Sequence, residues 1–371
     1  MEESDDQIAI KVQALSDLEL AVLICLVAEQ HCIIETERSL IIDVEKELRL
    51  IAQKVFGLTC AVLNCTEHTT LDDFGSGILV GDDGDDYFSS RTTKANSDHI
   101  SSMMDTPQSG SRRTPKSPKP FSPLDSRKIA NIVIARNLND ATSQVQIQAL
   151  ELVRGKRNFS RTAVYAAPRP FLFIALNASG TRRLTLHLND QFFISHKHRG
   201  EDGLPNLEDL AAKDTETADD ASTSSVVHTP AHAHAKRQLQ GMLFSPEDLA
   251  QLTWRMADVK ISSEVRAYLH NIVVFMRLHR AVAGGISAMA TRHFNALAHA
   301  LAPLHSLDYI SPSLIALAAR KIYPHRIVIT APENERSMQW GSSLEAVKAV
   351  LDGVTAEDVI EEVLQSVEVP L

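Results

Sequence analysis

Four consecutive apolar residues, Ile132-Val133-Ile134-Ala135, are closed by the polar stretch Arg136-Asn137-Leu138-Asn139-Asp140. Such a run, too short for a helix and ended by turn-forming residues, reads as a buried strand. A helix rich in Gln and Leu follows over residues 145–153. Strand, polar turn and helix make the repeating unit of a parallel α/β layer, and the chain uses that unit again. A helix over 18–29 leads to a strand at Cys32-Ile33-Ile34. A second helix over 41–55, with Val44, Leu48, Ile51, Ala52 and Val55 on one face, stops at Gly57 before a strand over 59–64. A hairpin near 159–164 and a strand over 171–176 complete an α/β half.

The remainder of the chain reads as helices only, over 246–257, 262–280, 287–304, 312–322 and 356–367. Ser262, Ser287 and Thr355 stand where N-caps belong, Glu264 adds negative charge to a first turn, and Pro246 and Pro312 occupy first-turn positions that tolerate proline. Val265, Leu269, Ile272, Val273 and Met276 line one face of the second of these helices.

The 371 residues leave room for two ordinary domains, and 44% hydrophobic content supplies real cores. A net charge of −10 argues against nucleic acid as a partner. There is no apolar run of membrane-spanning length, and the acidic start MEESDD is unlike a leader, so a cytoplasmic or nuclear setting is expected. Cys25, Cys32, Cys60 and Cys65 lack the paired short spacings of a zinc site and are expected to be reduced structural thiols.

Two stretches break the globular pattern. Residues 81–127 run from an Asp-rich start to the basic SRRTPKSPKPFSP and are expected to be a disordered insertion. Thr106, Thr114, Ser117 and Ser122 each precede a proline there. They read either as a regulatory phosphorylation cluster or, with somewhat more weight, as a solvated linker that matches a loose pattern by composition. Residues 201–243 read as a second disordered linker, and His228, His232 and His234 within it as spacer rather than metal ligands. No metal site is expected. The domains are thus an α/β core over 1–200 and a helical module over 244–371.

The helical module resembles the lid of the AAA+ ATPases, in the MoxR and magnesium-chelatase ATPase-subunit branch. The resemblance rests on the Ser262-Ser263-Glu264-Val265 helix start, the Gly285-Ile286-Ser287 turn, Asp308-Tyr309-Ile310-Ser311-Pro312, His325-Arg326 and the tail VTAEDVIEEVLQSVEVP. The N-terminal half is similar to the P-loop core of that family more weakly, in the matching order. The fold implied is a degenerate P-loop-type α/β core followed by a helical lid.

Position by position, the resemblance also implies lost chemistry. Where the family has a Gly-rich loop ending in Gly-Lys-Thr, this chain has Thr36-Glu37-Arg38-Ser39, with neither glycine nor lysine to cradle phosphate. Arg136 and Asn137 replace the Asp-Glu pair that holds Mg²⁺ and positions water. Gln191, in Asp190-Gln191-Phe192, replaces the arginine finger, a loss typically worth about 10³- to 10⁵-fold in rate. Met289 replaces the lid sensor arginine, with Arg292 one turn later the nearest substitute, and Asn177 stands for the polar sensor of the core. The reading that follows is a non-catalytic scaffold without cofactor that works through protein contacts in a homo- or hetero-oligomer. Its alternative is a magnesium-chelatase-like ATPase using ATP and Mg²⁺ for metal insertion or complex maturation.

Overall fold

The computed structural model describes residues 2–81, 127–160, 163–218 and 242–370, and the side chains of all of these except 2–6 and 212–218. Its centre is a five-stranded sheet of β1 (Cys32–Thr36), β2 (Cys60–Asn64), β3 (Ile132–Arg136), β4 (Leu172–Ala178) and β5 (Ile194–Lys197). The spatial order is β2-β3-β4-β1-β5 and every pairing is parallel. All seven residues of β4 are buried, as are the four apolar residues of β3. Strands covered on both faces read as unbroken apolar runs, which is why Ile132–Ala135 showed no alternation. Ile34, Ile134, Ile174 and Ile194 point to one core, and Ile33, Val133 and Phe173 to the other.

Helices α1 (Glu2–Gln13), α2 (Asp17–Val27) and α3 (Ile41–Leu50) belong to the N-terminal half, with α4 (Leu71–Gly77), α5 (Ser143–Gly155) and α6 (Leu186–Gln191). The α3 helix runs on as a π turn over Ile51–Val55, whose last carbonyl accepts the backbone N–H of both Leu243 and Phe244 at 3.0 Å. The hairpin expected near 159–164 is present as Arg157–Phe159 against Val164–Ala166. All four cysteines are free, and burial pushes the Cys60 and Cys65 thiols up to about 12.

The expected linker over 201–243 is corrected in its first part: Pro205–Ala218 is a helix, α7. Its start is held by the buried carboxylate of Glu47 on α3, which accepts the N–H of Asn206 at 3.0 Å and of Leu207 at 2.8 Å. The first N–H groups of a helix have no intrahelical partner, and a carboxylate there satisfies them and complements the helix dipole. The Asn206 amide also bridges Glu47, at 2.8 Å, and Glu19, at 3.0 Å. Composition alone could not show a partner 159 residues away. Asn206→Ala leaves two buried carboxylates facing each other and is expected to cost about 2–3 kcal/mol, read from the urea midpoint.

The C-terminal part is helical, in α8 (Pro246–Asp258), α9 (Ser263–Leu278), α10 (Ala288–Leu304), α11 (Pro312–Ile322), α12 (Leu344–Leu351) and α13 (Ala356–Ser366). Ser262, Ser287 and Thr355 cap α9, α10 and α13 as their residue types suggested. A short antiparallel pair, Val282–Gly284 with Val328–Ile329, is added to the helices. Core and lid share one continuous apolar cluster: residues of α2 and β1 pack in it with residues of α8, α9, α10, α11 and α13.

Leu79–Val80 pairs with Lys128–Ile129, joining the two ends of the Ser/Thr-Pro segment. Thr106, Thr114, Ser117 and Ser122, and likewise His228, His232 and His234, lie outside the described residues. Among the described residues no helix is long and apolar enough to cross a membrane.

Candidate functional site

In an open parallel sheet, ligands sit beyond the carboxyl ends of the strands, where adjacent strands send their connections in opposite directions. Here that place is the pair β1 and β4: the chain leaves β1 toward β2 on one side and leaves β4 toward β5 on the other. The four residues Glu37, Arg38, Ser39 and Leu40 join β1 to α3, closed by a 3.0 Å bond from the Leu40 N–H to the Glu37 carbonyl. Glu37, Arg38 and Ser39 are exposed, and none of the four has a positive φ. Anion-binding nests need successive N–H groups turned inward by alternating right- and left-handed residues, and this turn has no left-handed member. Thr36 is fully buried at the end of β1, its hydroxyl without a partner among the described residues.

At the end of β3, Arg136 is committed within the protein. Its Nη1 lies 2.7 Å from the Glu45 carboxylate on α3, and its Nε donates to Asn64 at 3.1 Å. Asn137 turns left-handed at φ 54° and its N–H bonds the Leu176 carbonyl at 2.8 Å. A guanidinium–carboxylate pair therefore fills the space beside the strand end.

On the opposite face, the parallel register places Asn177 beside Glu35 and Glu35 beside Lys197. Burial pushes the Glu35 carboxyl above its ordinary range, against the pull of Lys197 and Arg183. Asn177 is buried, with its side-chain oxygen unpartnered among the described residues.

The stretch read as the finger position faces the lid of the same chain. Asp190 accepts the Ser287 hydroxyl at 2.7 Å, and Gln191 is half-buried beside it. Arg326, 2% exposed, donates to the Phe192 carbonyl, to the Asp190 carbonyl at 3.3 Å, to His293 Nδ1 at 2.7 Å and to His325 Nε2 at 3.2 Å. Burial pushes this guanidinium down to about 10, with Asp190 resisting. The His293 ring is pushed down to about 3 by burial and then by Arg326, and so accepts as a neutral imidazole. Met289 and Arg292 share one side of α10, where the guanidinium contacts the sulfur at 3.2 Å and remains exposed.

Two groups are not apparent from the sequence alone. The dipeptide His325-Arg326 gives no sign that Arg326 is the buried tie between core and lid. His196 and His198 on the β5 exit come together with Asp202, and the signal for them is a His-x-His spacing that puts both rings on one face of a strand. A broad cleft of about 1190 Å³ lies elsewhere, lined by Thr70, Asp73, Gln148 and Asn158 and by Leu79 and Arg127 near the ends of the insertion.

Residues 274–346 match the AAA lid domain. Over 116 residues the chain is 28% identical to maintenance of telomere capping protein 2 of Lachancea thermotolerans, a match covering 30% of this chain and 41% of that protein. Over 129 residues it is 27% identical to the uncharacterized protein YeaC of Bacillus subtilis, 35% of each chain. The matches thus span less than half the length of these curated relatives. A crystal structure of a “putative ATPase” from Cytophaga hutchinsonii superposes with a TM-score of 0.62 over 99% of this chain and 94% of that one, at 15% identity. Parallel α/β core and helical lid together are an AAA+-type architecture.

Proposed function

We propose that this chain is a non-catalytic member of the MoxR and magnesium-chelatase kind of AAA+ protein, a scaffold that acts through protein contacts and uses no nucleotide. The observation that carries the reading is the Arg136–Glu45 pair, which puts a cation where an Mg²⁺-binding carboxylate would be needed and occupies the nearest acid on α3. The glycine-free turn after β1 supports it, because it offers phosphate neither a lysine nor a backbone nest. These residues do not fit Mg²⁺-nucleotide, so no hydrolytic step is assigned to them.

The contact surface suggested for a second protein chain is on the lid. Val274 and Leu278, one turn apart on α9, are 46% and 63% exposed, and Phe275 beside them 44%. Trp340, 87% exposed, ends a short 3₁₀ turn whose first residue, Arg336, bonds the carbonyls at the end of α9. Exposed apolar residues clustered on one face mark interaction sites. Partners could be further copies of this chain or a related core domain, and native mass separates the two.

The deciding measurement is titration of the full chain with a fluorescent ATP analogue in the presence of Mg²⁺. No saturable binding is expected below millimolar concentration. Micromolar binding, or ATP turnover that disappears in Arg292→Ala, would overturn the proposal in favour of a working ATPase.

A further inference from the structure

Beyond the nucleotide crevice, we propose that His196, His198 and Asp202 form a binding site for one Zn²⁺ ion, which ties the exit of β5 to the turn that leads into α7. The strand alternation sets up the site. Ile194, His196 and His198 fall on the same face, and the His198 N–H bonds the Glu35 carbonyl at 2.8 Å, so the strand geometry persists to His198. The chain then turns back through Gly200–Asp202 and brings the Asp202 carboxylate to 3.8 Å from His198 Nδ1. One ligand atom from each of the three residues lies within 4.8 Å of the others.

Burial makes the arrangement unusual. His196 is 5% exposed and His198 2%, yet His196 Nε2 and both ring nitrogens of His198 have no hydrogen-bond partner among the described residues. Buried polar atoms are nearly always paired, and two unpartnered imidazoles, each offering one nitrogen lone pair beside a carboxylate, call for a ligand that accepts lone pairs. The Asp202 side chain, 31% exposed, supplies the route from solvent. Its Oδ2 is already oriented by the Arg199 N–H at 2.7 Å, the kind of outer contact that holds a metal ligand in place.

The donor set selects the ion. Two imidazole nitrogens and one carboxylate oxygen suit Zn²⁺, with a fourth position left for water, whereas Mg²⁺ and Ca²⁺ take oxygen ligands. Bonds of about 2.0–2.2 Å require the three atoms to draw closer than they stand here, a side-chain rotation of about 1 Å. Asp17 and Glu47 add negative charge around the rings, and Lys321 on α11 opposes them at His196. The ion would join the sheet edge to α7, whose start is already held by Glu47.

The full-length chain, stripped with chelator, is titrated with Zn²⁺ against a chromophoric competitor, and Co²⁺ is used as a spectroscopic substitute. One equivalent of Zn²⁺ is expected, with Co²⁺ giving the intense visible bands of four-coordinate geometry and Zn²⁺ raising the melting temperature. His198→Gln and Asp202→Asn should each weaken binding at least about 100-fold and abolish the thermal shift. Asp202 is partly exposed, so Asp202→Asn decides the matter even if a histidine variant misfolds. A His232→Gln/His234→Gln double variant should bind as the parent does. The proposal is overturned if the folded parent binds no Zn²⁺ at micromolar concentration, if Asp202→Asn binds unchanged, or if binding is lost only in the His232/His234 variant.

Discussion

Lowering the pH from 7 to 5 is expected to cost the fold about 4 kcal/mol through two buried histidines alone. His31 is 3% exposed and its Nδ1 accepts the backbone N–H of Phe173 at 3.0 Å. Burial, and then Lys156, pushes its ring down to about 4, with the Val153 backbone pulling the other way. His293 is pushed down to about 3 by burial, Arg326, Arg292 and His31, against a Phe192 backbone contact. Both rings are therefore neutral in the folded protein, while in the unfolded chain they take up a proton near pH 6.5. Below that value the unfolded state binds more protons, so stability falls as pH falls. Each group costs about 1.4 kcal/mol per pH unit until its folded value is reached. His325 is likewise held well below the ordinary imidazole range, by burial and Arg326, and adds in the same direction. Carboxylates held low, such as Asp358 beside Thr355, titrate below this window, whereas Glu35, held high by burial, takes up its proton earlier in the folded protein and offsets part of the loss. Urea midpoints at pH 7, 6 and 5 provide the test, with His31→Gln expected to reduce the loss between pH 7 and 5 by about 2 kcal/mol. A midpoint that stays level down to pH 5 would mean that these rings are hydrated or charged in the folded state.

The elements of this fold were legible where one strand or helix decides its own fate. The unbroken apolar run Ile132–Ala135 reads as a buried strand, and Ser262, Ser287 and Thr355 mark the helices they cap. What stayed hidden depends on partners far along the chain. Pro205–Ala218 looks like solvated linker until Glu47, on α3, is seen holding its first turn. Arg136 stands out in the sequence as a cation at the end of an apolar strand. Only the structure adds that Glu45, 91 residues earlier, engages it. The same holds for the stretch read as the finger. Gln191 is legible only by its resemblance, and the contact of Asp190 and Phe192 with the chain's own lid arises through Ser287 and Arg326. His196, His198 and Asp202 needed a register and a reversal of the chain to become a cluster.

Gly285→Ala is expected to destabilise the protein by about 3–5 kcal/mol, as large as single substitutions generally become. The residue has φ +100°, outside the range that side-chain-bearing residues adopt readily. A Cβ there would stand 1.9 Å from the Arg326 carbonyl oxygen and 2.6 Å from its carbon. Both are backbone atoms, so no rotamer change relieves the clash. Arg326 has little freedom to retreat, because its guanidinium is bonded to Phe192, Asp190, His293 and His325. On the other side of the glycine, the Ile286 carbonyl accepts Arg277 at 3.1 Å and Ser287 both caps α10 and bonds Asp190. Two ties between lid and core thus meet at this turn, and separating the backbones by an ångström would loosen both. Gly341→Ala is the matched control: its φ of +83° carries the same kind of strain, but nothing lies within 4 Å of the added carbon. That substitution should cost only about 1 kcal/mol. In thermal melts the difference corresponds to roughly 3–5 °C for a chain of this size. Equal losses in the two variants would show that the Gly285–Arg326 contact is not a fixed part of the fold, and that the core–lid junction tolerates rearrangement at this point.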